Sequence, residues 1–167
     1  MSTKGITQTS ALVTISGQVQ EAVAGTLVQE EVALNLDILG REVFLVYAVD
    51  LNIEAPDAII GVNTQSLGSL STTSRSTIGN LQHTNVLAAV QKDCRAGVVA
   101  FHETSPDSPP TSALSYIGII STNNFFVQTV GQNNINTQGT SWRVWGARAK
   151  VTADIYAALV QSETLSA

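Results

Sequence analysis

The side chains best suited to catalysis or metal binding are few and widely spaced in this sequence. The two histidines are His83 and His102, and the single cysteine, Cys94, has Asp93 beside it. On paper these four residues could form a zinc site or a cysteine nucleophile with a histidine base. They lack the paired spacings of such sites, such as C-x-x-C, H-x-x-x-H or H-E-x-x-H, so chance proximity explains them better. The sequence therefore predicts no metal, no cofactor and no catalytic residue.

Acidic residues offer a second chemistry, because glycoside hydrolysis needs two carboxylates that face each other across a cleft. The candidates are Glu30, Glu31, Asp50 and Glu54, and solvated strand ends explain them equally well. The chain also lacks the phosphate-loop, dinucleotide-binding and nucleophile-elbow motifs. We expect a protein that is not an enzyme.

Alternation of apolar and polar residues predicts short strands. Residues 31–38 and 42–53 both alternate with a period of two, and the turn residues Gly40 and Arg41 between them predict a hairpin. The first half of 42–53 is apolar on both faces, which predicts cover on both sides. Other predicted strands are 11–16, 22–28, 97–101, 114–120, 124–130 and 141–151.

The remaining segments are less regular. Residues 62–80 fit polar strands or long loops, and 84–91 fit a strand or a short helix. Residues 121–123 predict a second hairpin turn. Proline and polar residues predict loops at 105–110 and 131–140.

The C-terminal segment 152–163 fits both a helical and a strand period. Thr152 suits a helix N-cap, Asp154 suits the first helical turn, and three alanines favour helix. The whole pattern predicts an all-β fold: a single jelly roll or β-sandwich of about eight antiparallel strands, with a short C-terminal helix. We expect one domain over residues 1–167, with 1–10 as an extended N-terminal arm.

Composition limits the classes of partner. The chain has 167 residues, of which 44% are hydrophobic and only 13% charged, with a net charge of −5. Its eight Lys and Arg residues are scattered apart from Arg143, Arg148 and Lys150, so we expect no nucleic-acid binding as a main activity. The start lacks the apolar core of a signal peptide, and no run approaches the roughly 18 apolar residues of a membrane span. We expect synthesis and folding in a cytoplasm.

Two pairs of aromatic residues are the candidates for subunit contacts. Trp142 and Trp145 are an odd number of residues apart in one predicted strand, so one of them faces away from the core. Phe125 and Phe126 have the same two-sided placement. Sparse charge and strands that are apolar on both faces favour burial against sister copies, and we predict Phe125, Phe126, Trp142 and Trp145 as interface residues.

The pattern resembles the small single jelly-roll capsid proteins of icosahedral viruses. It shares with them short strands, long loops rich in Ser, Thr and Asn, and a closing strand such as Ser141-Trp-Arg-Val-Trp-Gly-Ala-Arg-Ala-Lys150. The resemblance implies a structural shell subunit of a virion, which would associate with copies of itself and with other shell proteins. Many such proteins have a basic N-terminal arm, whereas residues 1–40 contain only Lys4 as a cation. This difference implies a shell around an internal membrane, a genome compacted by other components, or a minor or decorating shell protein.

Two alternatives remain at this point. A carbohydrate- or ligand-binding β-sandwich, such as a phage fibre or spike head, would use an outward tryptophan as a stacking platform. A cupin-like enzyme would need a histidine cluster, which His83 and His102 hardly supply.

Overall fold

The structure is a computed structural model that describes residues 4–95, 100–104 and 116–166. It contains ten strands and one helix within these ranges. The predicted all-β class with a C-terminal helix is confirmed. The elements are β1 (Ile6–Gln8), β2 (Val13–Gln20), β3 (Val28–Ala33), β4 (Glu42–Ile53), β5 (Thr64–Ser71), β6 (Val86–Arg95), β7 (Ala100–Thr104), β8 (Gly118–Ile120), β9 (Asn124–Gln132), β10 (Gly139–Val151) and α1 (Ala153–Ser166).

The strands form two antiparallel sheets of five strands each. The first sheet has the order β1-β10-β4-β8, with β2 also paired to β10. The second sheet has the order β3-β9-β5-β6-β7. The two sheets enclose a common apolar core, whose largest members include Phe44, Leu70, Ile120, Phe125 and Trp142.

The strand pairing follows the jelly-roll wrap. Leaving aside β1 and β7, the eight other strands pair first with last, second with seventh, third with sixth, and fourth with fifth. These pairs are β2·β10, β3·β9, β4·β8 and β5·β6, and all are antiparallel. One long hairpin folded over into two sheets gives this order, which confirms the predicted jelly roll.

A β-bulge divides the longest strand pair. The register of β10 and β4 passes from Trp145 opposite Ala48 to Gly146 opposite Val46, so Tyr47 is the extra residue. A bulge residue reverses the faces of the residues that follow it. The predicted single alternation over 42–53 is therefore wrong at Tyr47. The residues of β4 in the core between the sheets are Phe44 and Val46 before the bulge, and Val49, Leu51 and Ile53 after it.

Helix α1 covers part of the outer face of the first sheet. A second apolar cluster forms there from Val43 and Leu45 of β4 and Ala149 and Val151 of β10, against which the helix packs. The helix residues in this cluster are Ile155, Tyr156 and Leu159. The second apolar face of β4 is thus covered by the chain's own helix, and the prediction that sister copies cover this face is corrected.

Both predicted hairpins are wrong, because each connects strands of different sheets. The segment 31–38 is strand only to Ala33, in β3, and β4 lies in the other sheet. The segment 121–123 connects β8 of the first sheet to β9 of the second. The two crossings lie together: the backbone N–H groups of Leu34 and Leu36 donate to Asn123 O and Asn123 Oδ1, both at 2.7 Å.

The other predicted segments have mixed outcomes. Residues 22–27 form a connecting loop, so the strand predicted at 22–28 is wrong. The polar stretch 62–80 contains strand β5, and 84–91 contributes to strand β6. The strands predicted at 11–16, 124–130 and 141–151 correspond to β2, β9 and β10.

Several predictions fall partly or wholly outside the described residues. These are residues 1–3 of the arm predicted at 1–10, residues 97–99 of the strand predicted at 97–101, the loop predicted at 105–110, and residues 114–115 of the strand predicted at 114–120. Where the structure describes the proposed arm, Ile6–Gln8 pairs with β10 as β1. This part of the arm is a strand of the sheet.

Candidate interaction surfaces

Three connecting loops meet at one end of the sandwich, which we call the loop end. In the first sheet, Gln20 pairs with Gly139 and Ile53 pairs with Thr140, so the C-terminal ends of β2 and β4 lie beside the start of β10. In the second sheet, the start of β5 lies beside the end of β9. The loops of the loop end are therefore 21–27, 54–63 and 133–138.

Glu21 fixes one side of the loop end. Its side chain is buried, and its two carboxylate oxygens accept hydrogen bonds from the backbone N–H groups of Gly131 and Gln138, each at 2.8 Å. Hydrogen bonds to a charged acceptor are among the stronger ones in proteins. Glu21 therefore ties the end of β2 to both ends of the loop that joins β9 to β10. This role could not be predicted from the sequence, since a lone glutamate after a strand gives no signal of such contacts.

Asp57 fixes the other side. Its carboxylate accepts the backbone N–H groups of Ile135 and Asn136 at 2.8 Å, while its own N–H donates to Asn134 Oδ1 at 2.8 Å. The pKa of Asp57 lies below its usual value of 3.8, because its carboxylate accepts hydrogen bonds. The largest effect comes from the backbone N–H of Asn136, followed by the Asn136 side chain, and the backbone N–H of Ile135 adds to it. Burial acts in the opposite direction but does not prevail. The loop 54–63 is thus anchored on 133–138 by a carboxylate that favours its charged form.

The loop end presents apolar side chains to solvent. Val23 is 65% exposed, Ile60 is 100% exposed and Ile135 is 75% exposed. Each of the three loops contributes one of them. Exposed apolar side chains on loops that are already fixed suit a protein contact, because little conformational entropy remains to be lost on binding.

The opposite end of the sandwich also carries exposed apolar residues, but its longest loop has a different anchor. Leu39 lies in the β3–β4 crossing and Leu81 in the loop 72–85, and both are exposed. At the start of this loop, Ser71 Oγ donates to Thr73 O at 2.7 Å. Further along, Gly79 N donates to Ser69 Oγ at 3.1 Å. The loop 72–85 is therefore held against the end of β5.

A buried polar network fixes this loop on the second sheet. Gln128 is fully buried; its Oε1 accepts from Ser69 Oγ at 2.7 Å, and its Nε2 donates to Gln29 Oε1 and Ser71 Oγ at 2.9 and 2.8 Å. Gln29 Oε1 also accepts the backbone N–H of Arg75 at 2.8 Å. Buried polar groups are stable when their hydrogen bonds are made, so this face of the sheet needs no partner around Gln128.

Two of the four predicted interface aromatics lie in the core. Phe125 and Trp142 are buried, and their rings meet edge to face with centroids 5.5 Å apart. Trp142 Nε1 donates to Glu30 Oε2 at 3.3 Å at the edge of the core. Phe125 and Trp142 therefore stabilise a single copy, and their assignment as interface residues is corrected.

The other two aromatics are partly exposed on the outer faces. Phe126 lies opposite Glu31 and Ser71 in the second sheet. Trp145 lies on the first sheet, with the Arg143 guanidinium carbon 5.7 Å from its ring centroid. This cation–π contact occupies a ring face that a sugar would need for stacking. Phe126 and Trp145 remain predicted interface residues.

The four candidate residues lie in two places: β6 and β7 bring Asp93 and Cys94 beside His102 in backbone register, whereas His83 lies before β6. His83 precedes β6 and Cys94 lies near its end, so a strand length of about 26 Å separates them. Cys94 is buried. Both carboxylate oxygens of the neighbouring Asp93 accept hydrogen bonds from Gln91 Nε2, at 2.9 and 3.0 Å. Asp93 pairs with His102 in backbone register. Among the residues whose side chains the structure describes, no three metal-ligating groups cluster together.

A cavity of about 170 Å³ lies beside α1. Its apolar lining includes Leu87, Ile117 and Leu159, and Glu163 lines its polar side. Glu163 Oε1 accepts the backbone N–H of Ser121 at 3.1 Å, and burial raises the pKa of Glu163 above 4.5 despite the hydrogen bonds it accepts. The carboxyl group thus attaches the helix to the sandwich.

None of the described helices is long and apolar enough to cross a bilayer.

Comparison with known proteins gives matches to solved structures alone. No family model matches the chain, and no curated protein matches it. A chain of Desmodium yellow mottle tymovirus aligns over 85% of this chain and 89% of its own length, with 8% identity and a TM-score of 0.37. A chain of turnip yellow mosaic virus aligns over 86% and 95%, with 10% identity and a TM-score of 0.33. At these identities and TM-scores the likeness assigns neither a family nor a function to this chain.

Proposed function

We propose that the chain is a structural subunit of a virion shell that acts by self-association and not by catalysis. The observation that carries the proposal is the loop end, where Glu21 and Asp57 fix three loops with exposed apolar tips. A jelly roll is one of the folds from which capsids are built. The fixed loops and the fold together suit a repeated contact between identical blocks.

The energetics of such a contact are favourable for assembly. Burying one valine or isoleucine side chain contributes roughly 1.5–3 kcal/mol, and the loop end offers Val23, Ile60 and Ile135. Each contact would be modest after the cost of association is subtracted. Several contacts per subunit around a closed lattice act together, as in multivalent binding.

The charges of the chain support self-association over nucleic-acid binding. Only 13% of the residues are charged, so copies repel one another weakly. Of the clustered cations, Arg148 donates to Leu34 O at 2.7 Å, to Asn35 O at 3.1 Å and to Glu42 Oε2 at 2.8 Å. Arg143 lies over Trp145 on the other face of β10. These guanidinium groups are engaged within one copy.

The partners in this proposal are copies of the same chain and other shell proteins. Synthesis in a host cytoplasm and a position close to an internal membrane belong to the same proposal. Loss of the loop-end contact tests it. We expect Ile60→Glu and Ile135→Glu to leave the chain folded and to reduce the mass of its assemblies, because a buried unpaired charge is costly. Gln161→Glu adds the same charge on the exposed side of α1 and should leave assembly intact.

Sedimentation velocity, with circular dichroism as a check of folding, measures both effects. Assemblies of unchanged mass in Ile60→Glu and Ile135→Glu would show that the loop end is not a contact. The shell function itself would be refuted if the wild-type chain stayed monomeric both alone and when mixed with purified shell components.

A further inference from the structure

One edge of strand β2 has no described strand hydrogen-bonded to it. Glu21 N–H donates to Gln138 O at 3.0 Å, directly after the β2·β10 register ends. Because successive residues of a strand direct their N–H and C=O groups to opposite sides, the even-numbered residues of β2 direct theirs away from β10. Among the described strands, none pairs with that side of β2. The outward residues, all exposed, are Thr14, Ser16, Gln18 and Gln20.

The sequence along this edge lacks the features that protect free strand edges. No charged residue and no proline occurs from Ile6 to Gln20. Native proteins keep sheet edges apart with charges, prolines, bulges or very short strands. Two of the other described edges show such features, since β3 contains Glu30 and Glu31, and β8 has three residues. An eight-residue neutral edge is therefore exceptional in this molecule.

We infer that β2 of one copy pairs antiparallel with β2 of a second copy around a two-fold axis at Gly17. With the axis at Gly17, the two residue numbers of each opposite pair sum to 34, and this even sum places residues of the same face opposite each other. Thr14 then faces the second copy's Gln20, and Ser16 faces the second copy's Gln18. Each outward residue exchanges two hydrogen bonds with its opposite residue, which gives eight bonds and leaves no outward N–H group unpaired.

Charge and shape favour a second copy as the occupant. A two-fold axis brings like residues close together, so a charged edge would repel its own copy, whereas this edge has no charge to desolvate. On the outer face, the hydroxyl of Ser16 meets the amide of Gln18, and these groups can hydrogen-bond. At the axis, Gly17 faces itself and places no side chain between the strands. Gly17 is required by its own copy as well, because a Cβ there would lie 2.6 Å from the Trp142 ring.

This contact specifies one interface of the self-association proposed above. Its role in a larger shell rests on that proposed function, whereas the formation of the dimer does not. The edge pair is a closed dimer, so it forms whether or not the dimers go on to build particles. Its experiment can therefore fail or succeed independently of the shell.

Disulfide trapping tests the register. Ser16→Cys and Gln18→Cys are made as separate variants, and the native Cys94 is buried and remains in place. Opposite residues in a hydrogen-bonded pair have Cα atoms about 5.5 Å apart, within the range of a disulfide. We expect rapid crosslinking on oxidation of an equal mixture of the two variants, and little in either variant alone. Crosslinking of Ser16→Cys with itself would place the axis elsewhere and overturn the inference, as would the absence of any crosslink.

Backbone substitution tests the same contact without a thiol. Gln18→Pro removes an outward N–H group, which does not belong to the β2·β10 ladder, so each copy should fold normally. Two intermolecular bonds are lost in the dimer, and we expect dimerisation to weaken by at least about tenfold. Gln18→Ala retains the N–H group and should dimerise like the wild type. Equal dimerisation of the proline and alanine variants would contradict edge pairing.

Sizing of the same samples separates the two proposals. Large assemblies without the 16–18 crosslink would refute edge pairing and leave the shell function in place. A crosslinked dimer that never grows would support edge pairing and count against the shell.

Discussion

The Phe44 ring packs directly on the backbone of Gly146. A Cβ atom at Gly146 would collide with this ring and would lie 2.6 Å from the carbonyl oxygen of Leu45. The contact occurs where the bulge at Tyr47 reverses the faces of β4. Because of the bulge and the absence of a side chain at Gly146, both faces of the first half of β4 are packed. Phe44 lies in the core between the sheets, and Leu45 lies in the cluster that the helix covers.

Gly146→Ala should destabilise the fold strongly. The added methyl group meets backbone as well as ring, so the clash cannot be relieved by one rotamer change. We expect a loss of about 1–3 kcal/mol in the free energy of unfolding, the usual cost of overpacking. Ala48→Gly, on the neighbouring strand beyond the bulge, is the matched control and should cost about 0.5–1 kcal/mol. Urea denaturation measures both, and equal costs would argue against the packing of Phe44 on Gly146.

Asp57 should make the loop end sensitive to acid. Its folded-state pKa lies below 3.8, so the charged carboxylate contributes stability that is complete above the unfolded value and is lost as the pH falls through the folded value. We expect Asp57→Asn to cost about 1 kcal/mol at neutral pH, as for other side chains that cap backbone N–H groups. The difference from the wild type should shrink below pH 3.8.

Urea midpoints measured across the pH range test this expectation. Asp50→Asn, exposed on the outer face of β4, is the matched control and should change little. A deficit of Asp57→Asn that stays the same down to the lowest accessible pH would show that the charge of Asp57 does not hold the loops.

Glu163 should have the opposite pH dependence. Burial raises its folded pKa above 4.5, so its contribution to helix attachment is present below the unfolded value and is lost as the pH rises through the folded value. Glu163→Gln keeps an oxygen for the Ser121 N–H without a charge to desolvate. We expect the variant to melt about 2 °C higher than the wild type at pH 7, a small effect because the side chain is partly solvated.

Thermal melts at pH 7 and pH 4 check this reversal. At pH 4 the wild-type carboxyl is protonated, and the advantage of Glu163→Gln should disappear. A variant that melts lower than the wild type at pH 7 would mean that the charge of Glu163 stabilises the helix.

The two tryptophans of β10 should respond differently to the same substitution. Trp142→Asp places an unpaired charge in the core beside Phe125, and we expect the chain not to fold, since truncation of a core tryptophan alone costs about 3–5 kcal/mol. Trp145→Asp alters the partly exposed outer face, and we expect a folded chain with weakened self-association. Near-ultraviolet circular dichroism and sedimentation of both variants test this. A folded Trp142→Asp chain would contradict its place in the core.

The sequence predicts the strands of this fold better than their connections. Period-two alternation identifies β4 to its residue bounds, and alanine content together with Thr152 identifies α1, because both signals are local. The hairpins at Gly40–Arg41 and 121–123 fail because short polar links are common to hairpins and to crossings between sheets. The hydrogen bonds from Leu34 and Leu36 to Asn123 distinguish the two cases, and they join residues far apart in the sequence.

The candidate surfaces could be predicted only in part for the same reason. Because Trp142 and Trp145 are an odd number of residues apart, the sequence shows that one of them faces outward. That the outward residue is Trp145 follows only from the packing of Trp142 against Phe125. The apolar second face of β4 looks like an interface until the position of α1 is known. Glu21 and Asp57 give no local signal, because their roles come from loops that meet through the jelly-roll wrap.

The mass of the purified chain in solution tests self-association most directly. Sedimentation velocity over a concentration series, carried out near neutral pH with freshly folded protein, measures it. We predict a concentration-dependent shift from single copies to dimers and large closed particles. A single species with the mass of one chain at every concentration up to the solubility limit would contradict the account.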